Sequence, residues 1–329
     1  MLNLSDFNQG VNVSAELLSM ELRNVLLSVN SIILLLLGIS GILTNILNML
    51  TFHKMGLGQG TNTSFFALSA ADLVCECIFV IMAVITMGQA HLVELAVDLT
   101  HLRYILGPVI VSISAYISWV TAIINVERCF CVLLPQRAKY VFSVKTTTSL
   151  ILGMLAVQLS IITTRLFSEE LTTLRSPHVT LTQSSLDSSK YVAVTFWGAS
   201  LPSFICFLVT VASTMFLVNA LTKRQKWLQS LPTADINTVK KNKTLMYMVV
   251  VISLVHIICF LPSVLIISLS LATKHLNPFK PGSRNLYFVL TSFAGSFQAF
   301  SSVVNLFIYL KMSSNYNKCL RSLLHNLNE

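Results

Sequence analysis

Apolar residues come in seven long runs, near 25–52, 62–88, 102–132, 146–167, 191–221, 243–271 and 285–310, separated by short polar segments. A helix needs about 20 mostly apolar residues to cross a bilayer core, whereas a barrel strand needs only about 10. The runs have the helical length, and within lipid a helix satisfies its own backbone polar groups where an open strand does not. The pattern therefore predicts an all-α fold, a seven-transmembrane-helix bundle. A short amphipathic helix should follow the last span, where Lys318 and Arg321 alternate with Leu320, Leu323 and Leu324. The expected division is an extracellular tail over 1–24, one seven-helix domain over 25–311, and a cytoplasmic amphipathic helix and tail over 312–329.

Composition agrees. Charged residues make up 11% of the chain and hydrophobic ones 54%, against about 25% charge in a soluble domain; mean hydropathy is +0.74. The net charge of +9 is a topology signal, since Lys and Arg gather on cytoplasmic loops. One side of the bundle holds 14 basic residues against three acids, while eight basic and eight acidic residues balance on the other. The amino terminus should therefore lie outside and the carboxy terminus inside, in a multi-pass protein of the plasma membrane with lipid as its surroundings. Nucleic acid is not an expected partner. Asn3-Leu4-Ser5 and Asn12-Val13-Ser14 are glycosylation sequons on the outer tail, so Asn3 and Asn12 are candidate acceptors; Asn62-Thr63-Ser64 and Asn242-Lys243-Thr244 match the short pattern on the opposite side. No charged segment precedes an early apolar run, so the first helix is expected to act as its own insertion signal.

All seven cysteines fall within spans or on the basic side, so none is placed for an extracellular disulfide. Cys75/Cys77 and Cys129/Cys131 are C-x-C pairs without further ligands nearby, and neither a metal nor another cofactor is expected. Cys319, in the amphipathic stretch, is a candidate for S-palmitoylation, with a plain thiol as the alternative.

Polar residues inside spans are costly and tend to mark function. Asp72 lies mid-span, Glu76 one turn further along a similar face, Asn45 mid-span in the first helix and Asn305 in the seventh. Asn45 and Asp72, with Asn305, could hold water or a small cation and permit two packings, or simply clamp helix register. Arg128 ends a span of about 30 residues, roughly 45 Å long, with Glu127 beside it. The pair could close an inner cavity until a partner arrives, or Arg128 could be a snorkelling anchor.

These spacings together resemble the rhodopsin-like, class A family of G-protein-coupled receptors. The residues that carry the resemblance are Gly38-x-x-Gly41-x-x-x-Asn45, Asn62 with Leu68-Ser69-Ala70-Ala71-Asp72, Glu127-Arg128-Cys129, Pro135 in the following loop, Pro202, Cys259-Phe260-Leu261-Pro262 and Asn305-Leu306-Phe307-Ile308-Tyr309. The chain departs from the family in several places. Arg103 stands where a cysteine is usual near the top of the third span, and the loop over about 168–190 lacks the partner cysteine, which implies a looser lid. The fourth span lacks a tryptophan near Gly153 and Met154. Leu306 replaces a proline, so the seventh helix should be straighter. Phe260 replaces a tryptophan toggle, Ser118 and His256 replace apolar residues expected to pack against Pro202, and Thr210 replaces a tyrosine.

The resemblance implies that an extracellular ligand shifts the bundle so that a heterotrimeric G protein meets Arg128, with the sixth helix bending at Pro262. Switch residues would be Glu127, Arg128, Pro135, Pro202, Pro262, Asn305 and Tyr309. By position, Ile110, Ser114, Val194, Gly198, Phe260, Ser263, Ile267, Gly295 and Gln298 would line the ligand pocket. Ile110 excludes the aspartate anchor of amine receptors, and Ala299 excludes the lysine of opsins. A small apolar chemical or a peptide remains, and the chain is most similar to invertebrate chemosensory-type receptors, with neuropeptide receptors as the alternative.

Two other classes compete. Gly38-Ile39-Ser40-Gly41 matches the nucleophile motif of rhomboid proteases, with His256 as a base; catalysis needs base and hydroxyl within hydrogen-bond reach and an oxyanion hole. The serine lies inside an uninterrupted helix, so no enzyme is expected, and His256 should be a core histidine bonded to Ser118 or a backbone carbonyl. Asp72 and Glu76 could serve a proton or cation transporter, but the chain lacks inverted repeats and paired broken helices.

Overall fold

The structure, a computed structural model, describes residues 17–91, 96–175, 198, 200–229, 236–272, 276 and 281–327. Among them the chain is helical throughout: α1 (Met20–Met55), α2 (Gly60–His91), α3 (Ala96–Leu133), α4 (Pro135–Val141), α5 (Val144–Arg175), α6 (Leu201–Gln229), α7 (Ile236–Ala272), α8 (Pro281–Met312) and α9 (Ser314–Leu327). Seven of these, α1, α2, α3, α5, α6, α7 and α8, are long and apolar enough to cross a membrane, as the pattern predicts. Their alternating direction brings Lys54, Arg128, Lys145, Lys223 and Lys311 to one end of the bundle, the basic end.

Several helices outrun their apolar runs. α5 continues to Arg175, α7 starts at Ile236, and α3 starts at Ala96. Hydropathy registers the thickness of the lipid, whereas a helix ends where its capping and packing end. Between α3 and α5 the chain forms the short α4, which the sequence reading left as loop; Pro135 opens it, a position where the missing N–H costs nothing.

The bundle is apolar outside and polar within. Leu36, Leu43, Met215, Ile258 and Phe307 face outward, where lipid would cover them. Asn30, Asn45, Asn48, Asp72, Glu76 and Asn125 are buried. Such side chains stay in lipid-spanning helices by bonding across to neighbours. α1 and α8 are joined this way along their length. Asn30 Nδ2 donates to Ser292 Oγ at 2.7 Å while its Oδ1 accepts from Ser296 Oγ at 2.9 Å. Further along, Asn45 Nδ2 donates to Ser302 Oγ at 2.7 Å. At the end opposite the basic one, Leu17 N donates to the Gly282 carbonyl at 2.9 Å and Asn285 Nδ2 to the Leu18 carbonyl at 3.1 Å. Ser19 caps α1 through Leu22 N.

Close approach of α1 and α2 depends on Gly38 and Gly41. A Cβ at Gly38 would lie 2.6 Å from Val80 Cγ2, and one at Gly41 only 2.7 Å from Cγ and Cδ of Glu76. Gly56, with φ of 90°, then ends α1, a conformation open to glycine without strain. α8 runs unbroken from Pro281 to Met312 with no interior proline.

Candidate functional site

At the basic end, Arg128 Nη2 donates to Glu127 Oε1 at 2.6 Å and also to Thr61 Oγ1; Thr61 in turn donates to the same carboxylate oxygen at 3.0 Å. Arg128 is 7% exposed and Glu127 4%. Burial this deep rules out a snorkelling head in water, so the guanidinium is held as part of a closed triad. Glu127 supplies the charge and α2 supplies the hydroxyl. Thr61 was not singled out in the sequence, where it is one of several polar residues opening the second span. Thr210 of α6 is buried, and its hydroxyl has no partner among the described residues.

The α8 end of this region is built from aromatic rings. Tyr309 is buried between Phe52 and Phe65, with ring centroids at 5.1 and 5.3 Å, and against Tyr316 of α9 at 5.4 Å. Tyr316 donates its hydroxyl to Asn48 Oδ1 at 2.6 Å, fastening α9 to α1. Burial raises the Tyr316 phenol above its ordinary range, so it stays a donor. Cys319 is half-buried and directs its thiol onto the Thr51 carbonyl at 3.7 Å, so acylation there requires the side chain to turn outward.

Half-way through the bundle, Asn305 Nδ2 donates to Asp72 Oδ2 at 3.3 Å. Asn45 reaches the two carboxyls only through Ser302, whose hydroxyl faces both Asp72 and Glu76. Ser302 is thus the hub of the cluster, and it too escaped the sequence reading. A single serine on an apolar helix carries no mark, since most bond back to their own helix. Asp72, Thr121, His256, Gln298, Ser302 and Asn305 surround a cavity of about 20 Å³, together with Leu68, Ile117, Ile252, Cys259, Phe260 and Ser301. One water needs roughly 10–15 Å³, so the cavity suits a water between the helices.

Above it, Ser114 Oγ donates to Gln298 Oε1 at 2.9 Å, and Gln298 Nε2 to Cys75 Sγ at 3.6 Å. These contacts lay a floor across α2, α3 and α8. Phe260 is buried, stacked on His256 at 5.2 Å and tilted against Phe207 at 6.3 Å. His256 is a buried core histidine as expected, but of the two partners expected for it the bond to Ser118 is not made: Ser118 donates to the Ser114 carbonyl at 3.0 Å, one turn back on α3, and His256 Nε2 has no partner among the described residues. Ser40 lies on the exposed face of α1, bonded to its own Leu36 carbonyl, while His256 is buried in the bundle. The protease dyad is therefore not assembled.

Residues 35–244 match the model of a family described as "serpentine type 7TM GPCR chemoreceptor Srx". The match takes in well over half of the chain, from α1 into the start of α7. The chain belongs to this family of chemoreceptors. No curated protein matches it. The family is one of receptors, which sets aside the transporter and protease readings at the level of class, and it favours the chemosensory member of the receptor pair over the neuropeptide one.

Within the receptor, the expected pocket residues divide. Ser114 and Gln298 meet at the floor just described, Phe260 lines the cavity with Gln298, and Ile110 packs on the core. Ser263 and Ile267 are half-buried on α7, on either side of the buried Val264. A Cβ at Gly198 would meet Ile161 of α5 at 2.9 Å, and one at Gly295 would meet the Phe79 ring of α2 at 3.2 Å, so both glycines sit against a neighbouring side chain. Val194, and the sequons at Asn3 and Asn12, lie outside the described residues; of the loop expected over about 168–190, residues 168–175 instead continue α5, and 176–190 lie outside the described residues. Asn62 is buried with its amide nitrogen donated to the Gly56 carbonyl at 3.0 Å, which leaves that sequon closed to a glycan. Pro202 sits in the first turn of α6 and Pro262 inside α7.

Proposed function

We propose that this receptor binds a small, uncharged, mainly apolar molecule in the half of the bundle away from the basic end and passes the signal to a heterotrimeric G protein at Arg128. The observation that carries the reading is the buried triad of Arg128, Glu127 and Thr61. An arginine held so is a stored contact, available only when α2 and α3 release it. The ligand class follows from the floor. Its polar handles, Ser114 and Gln298, are already paired with each other, and Ile110, Phe260 and Ile267 offer no charge.

Ligand affinity has to differ between closed and open bundles, since equal affinity shifts nothing. The moving element is α7, whose interior Pro262 lacks the N–H that would stiffen it. α1 and α8 are fixed to each other by their carboxamide–serine bonds. In this reading the basic end is cytoplasmic, the protein sits in the plasma membrane with residues 1–24 outside as a tail glycosylated at Asn3 and Asn12, residues 25–311 form the receptor domain, and 312–329 lie on the inner lipid surface, with Cys319 open to palmitoylation when it turns outward.

The test is recruitment of a panel of G proteins in cells expressing wild type or Arg128→Ala at equal surface level, challenged with odorant and peptide libraries. Odorant-driven recruitment that disappears in Arg128→Ala is expected. Activation by peptides alone would replace the ligand class, and recruitment unchanged by Arg128→Ala would overturn the coupling site.

A further inference from the structure

α3 and α7 are linked on the basic side of the cavity by a side-chain hydrogen bond, from Ser253 Oγ to Asn125 Oδ1 at 2.6 Å. Asn125 is fully buried and Ser253 nearly so. The orientation of the carboxamide is fixed, because Nδ2 donates to the Thr121 carbonyl at 2.9 Å and Oδ1 is thereby turned to α7. Ser253 has one proton and two acceptors in reach: Asn125 Oδ1, and the Val249 carbonyl of its own helix at 2.8 Å. Asn125 stands one turn before Arg128 on α3, and Ser253 lies on α7 on the basic side of Pro262.

We infer that the Ser253–Asn125 bond is the catch that keeps α7 seated on α3 in the resting receptor, and that the Ser253 hydroxyl turns to the Val249 carbonyl when α7 swings away. This rests on the proposed reading that α7 is the moving helix. The other buried side chains near this layer, Ile124, Val249 and Ile252, belong to the apolar core, and apolar contact is non-directional. The hydrogen bond is a directional link between α3 and α7, and so helps set where α7 comes to rest.

The alternative acceptor makes the catch reversible. When α7 leaves, Ser253 keeps a bonded proton, so no donor is orphaned in α7. Asn125 Oδ1 loses its donor, but the same motion opens the region to water, which replaces it. Interhelical side-chain bonds in membranes are modest for this reason, about 0.6 kcal/mol on average and about 1.7 at most. Converted with the same constants, removal of the catch should shift the resting equilibrium toward the open form by about 3-fold, and by at most about 18-fold.

The experiment uses the full chain in cells, with two readouts. The first is ligand-free G-protein recruitment per surface receptor for Ser253→Ala, Asn125→Ala, the double variant and Ser253→Thr. Each alanine variant should raise it about 3-fold or more, the double variant no further than the larger single, and Ser253→Thr, which keeps the hydroxyl, should match wild type. The second readout does not involve a G protein. Met246, two turns toward the basic end on the same face as Ser253 and buried, is replaced by cysteine, and its reaction with a water-soluble maleimide is measured above the background of the native thiols. Ser253→Ala should speed that reaction by a similar factor. Faster labelling without recruitment in any variant would sink the coupling reading and leave the catch standing. Labelling unchanged by Ser253→Ala, or single-variant effects that multiply in the double variant, would overturn the catch.

Discussion

Gly41→Ala tests how the polar interior is packed, because its expected sign depends on one other residue. The new Cβ would lie 2.7 Å from both Cγ and Cδ of Glu76 and 3.1 Å from its Oε1, where carbon pairs normally sit at about 3.5–4.0 Å. Glu76 cannot retreat to solvent: it is 1% exposed, flanked by Asp72 and Ser302. Overpacking of this kind costs about 1–3 kcal/mol. Alanine in place of glycine gains up to about 1 kcal/mol of helix propensity, so with that gain the net expectation is a loss of up to about 2 kcal/mol. At roughly 2–4 °C per kcal/mol for a chain of this order, the melting midpoint should fall by several degrees. In a Glu76→Ala background the obstacle is gone, and Gly41→Ala should become neutral or stabilising. The assay is thermal unfolding of purified receptor with a thiol-reactive dye at one scan rate. Buried Cys75, Cys206 and Cys259 report unfolding, while exposed Cys77 and Cys131 set the baseline. An equal fall in both backgrounds, or a rise in the wild-type background, would refute the reasoning.

Two further outcomes are expected. Thr61→Val removes the hydroxyl that both accepts from Arg128 and donates to Glu127. Bonds to charged groups contribute about 1.5–3 kcal/mol, so ligand-free G-protein recruitment should rise roughly tenfold, Thr61→Ser should not change it, and Arg128→Ala added to Thr61→Val should abolish it; a basal level identical to wild type in Thr61→Val refutes the triad as a restraint. Asp72→Asn should change sodium sensitivity only weakly, below about fivefold in ligand response, because Ile117 lines the cavity where a hydroxyl would help hold the ion; a strong sodium effect that Asp72→Asn removes would contradict this.

The seven spans were legible because each is a long apolar run, and Arg128, Asp72 and Asn305 stood out as polar residues within or at the end of such runs; the structure buries all three. What pairs with what was less legible, for a physical reason. Serine and threonine in a helix usually bond to the carbonyl three or four residues back, as Ser40, Ser118 and Thr121 do. Sequence does not distinguish these from Thr61, Ser253 and Ser302, which bond across helices separated by scores of residues. For His256 the sequence offered Ser118 or a backbone carbonyl without a means of choosing, and the Ser118 hydroxyl took the nearer carbonyl. The neighbours of Gly198 and Gly295 were not legible either, because which side chain approaches a glycine, Ile161 in one case and Phe79 in the other, depends on the packing of other helices.

All seven thiols are free, and at the end opposite the basic one α1 and α8 are clasped through backbone atoms, Leu17 to Gly282. The clasp does not depend on the redox poise of its surroundings, and dithiothreitol, which unfastens receptors tied by disulfides, should leave the ligand response of this one intact.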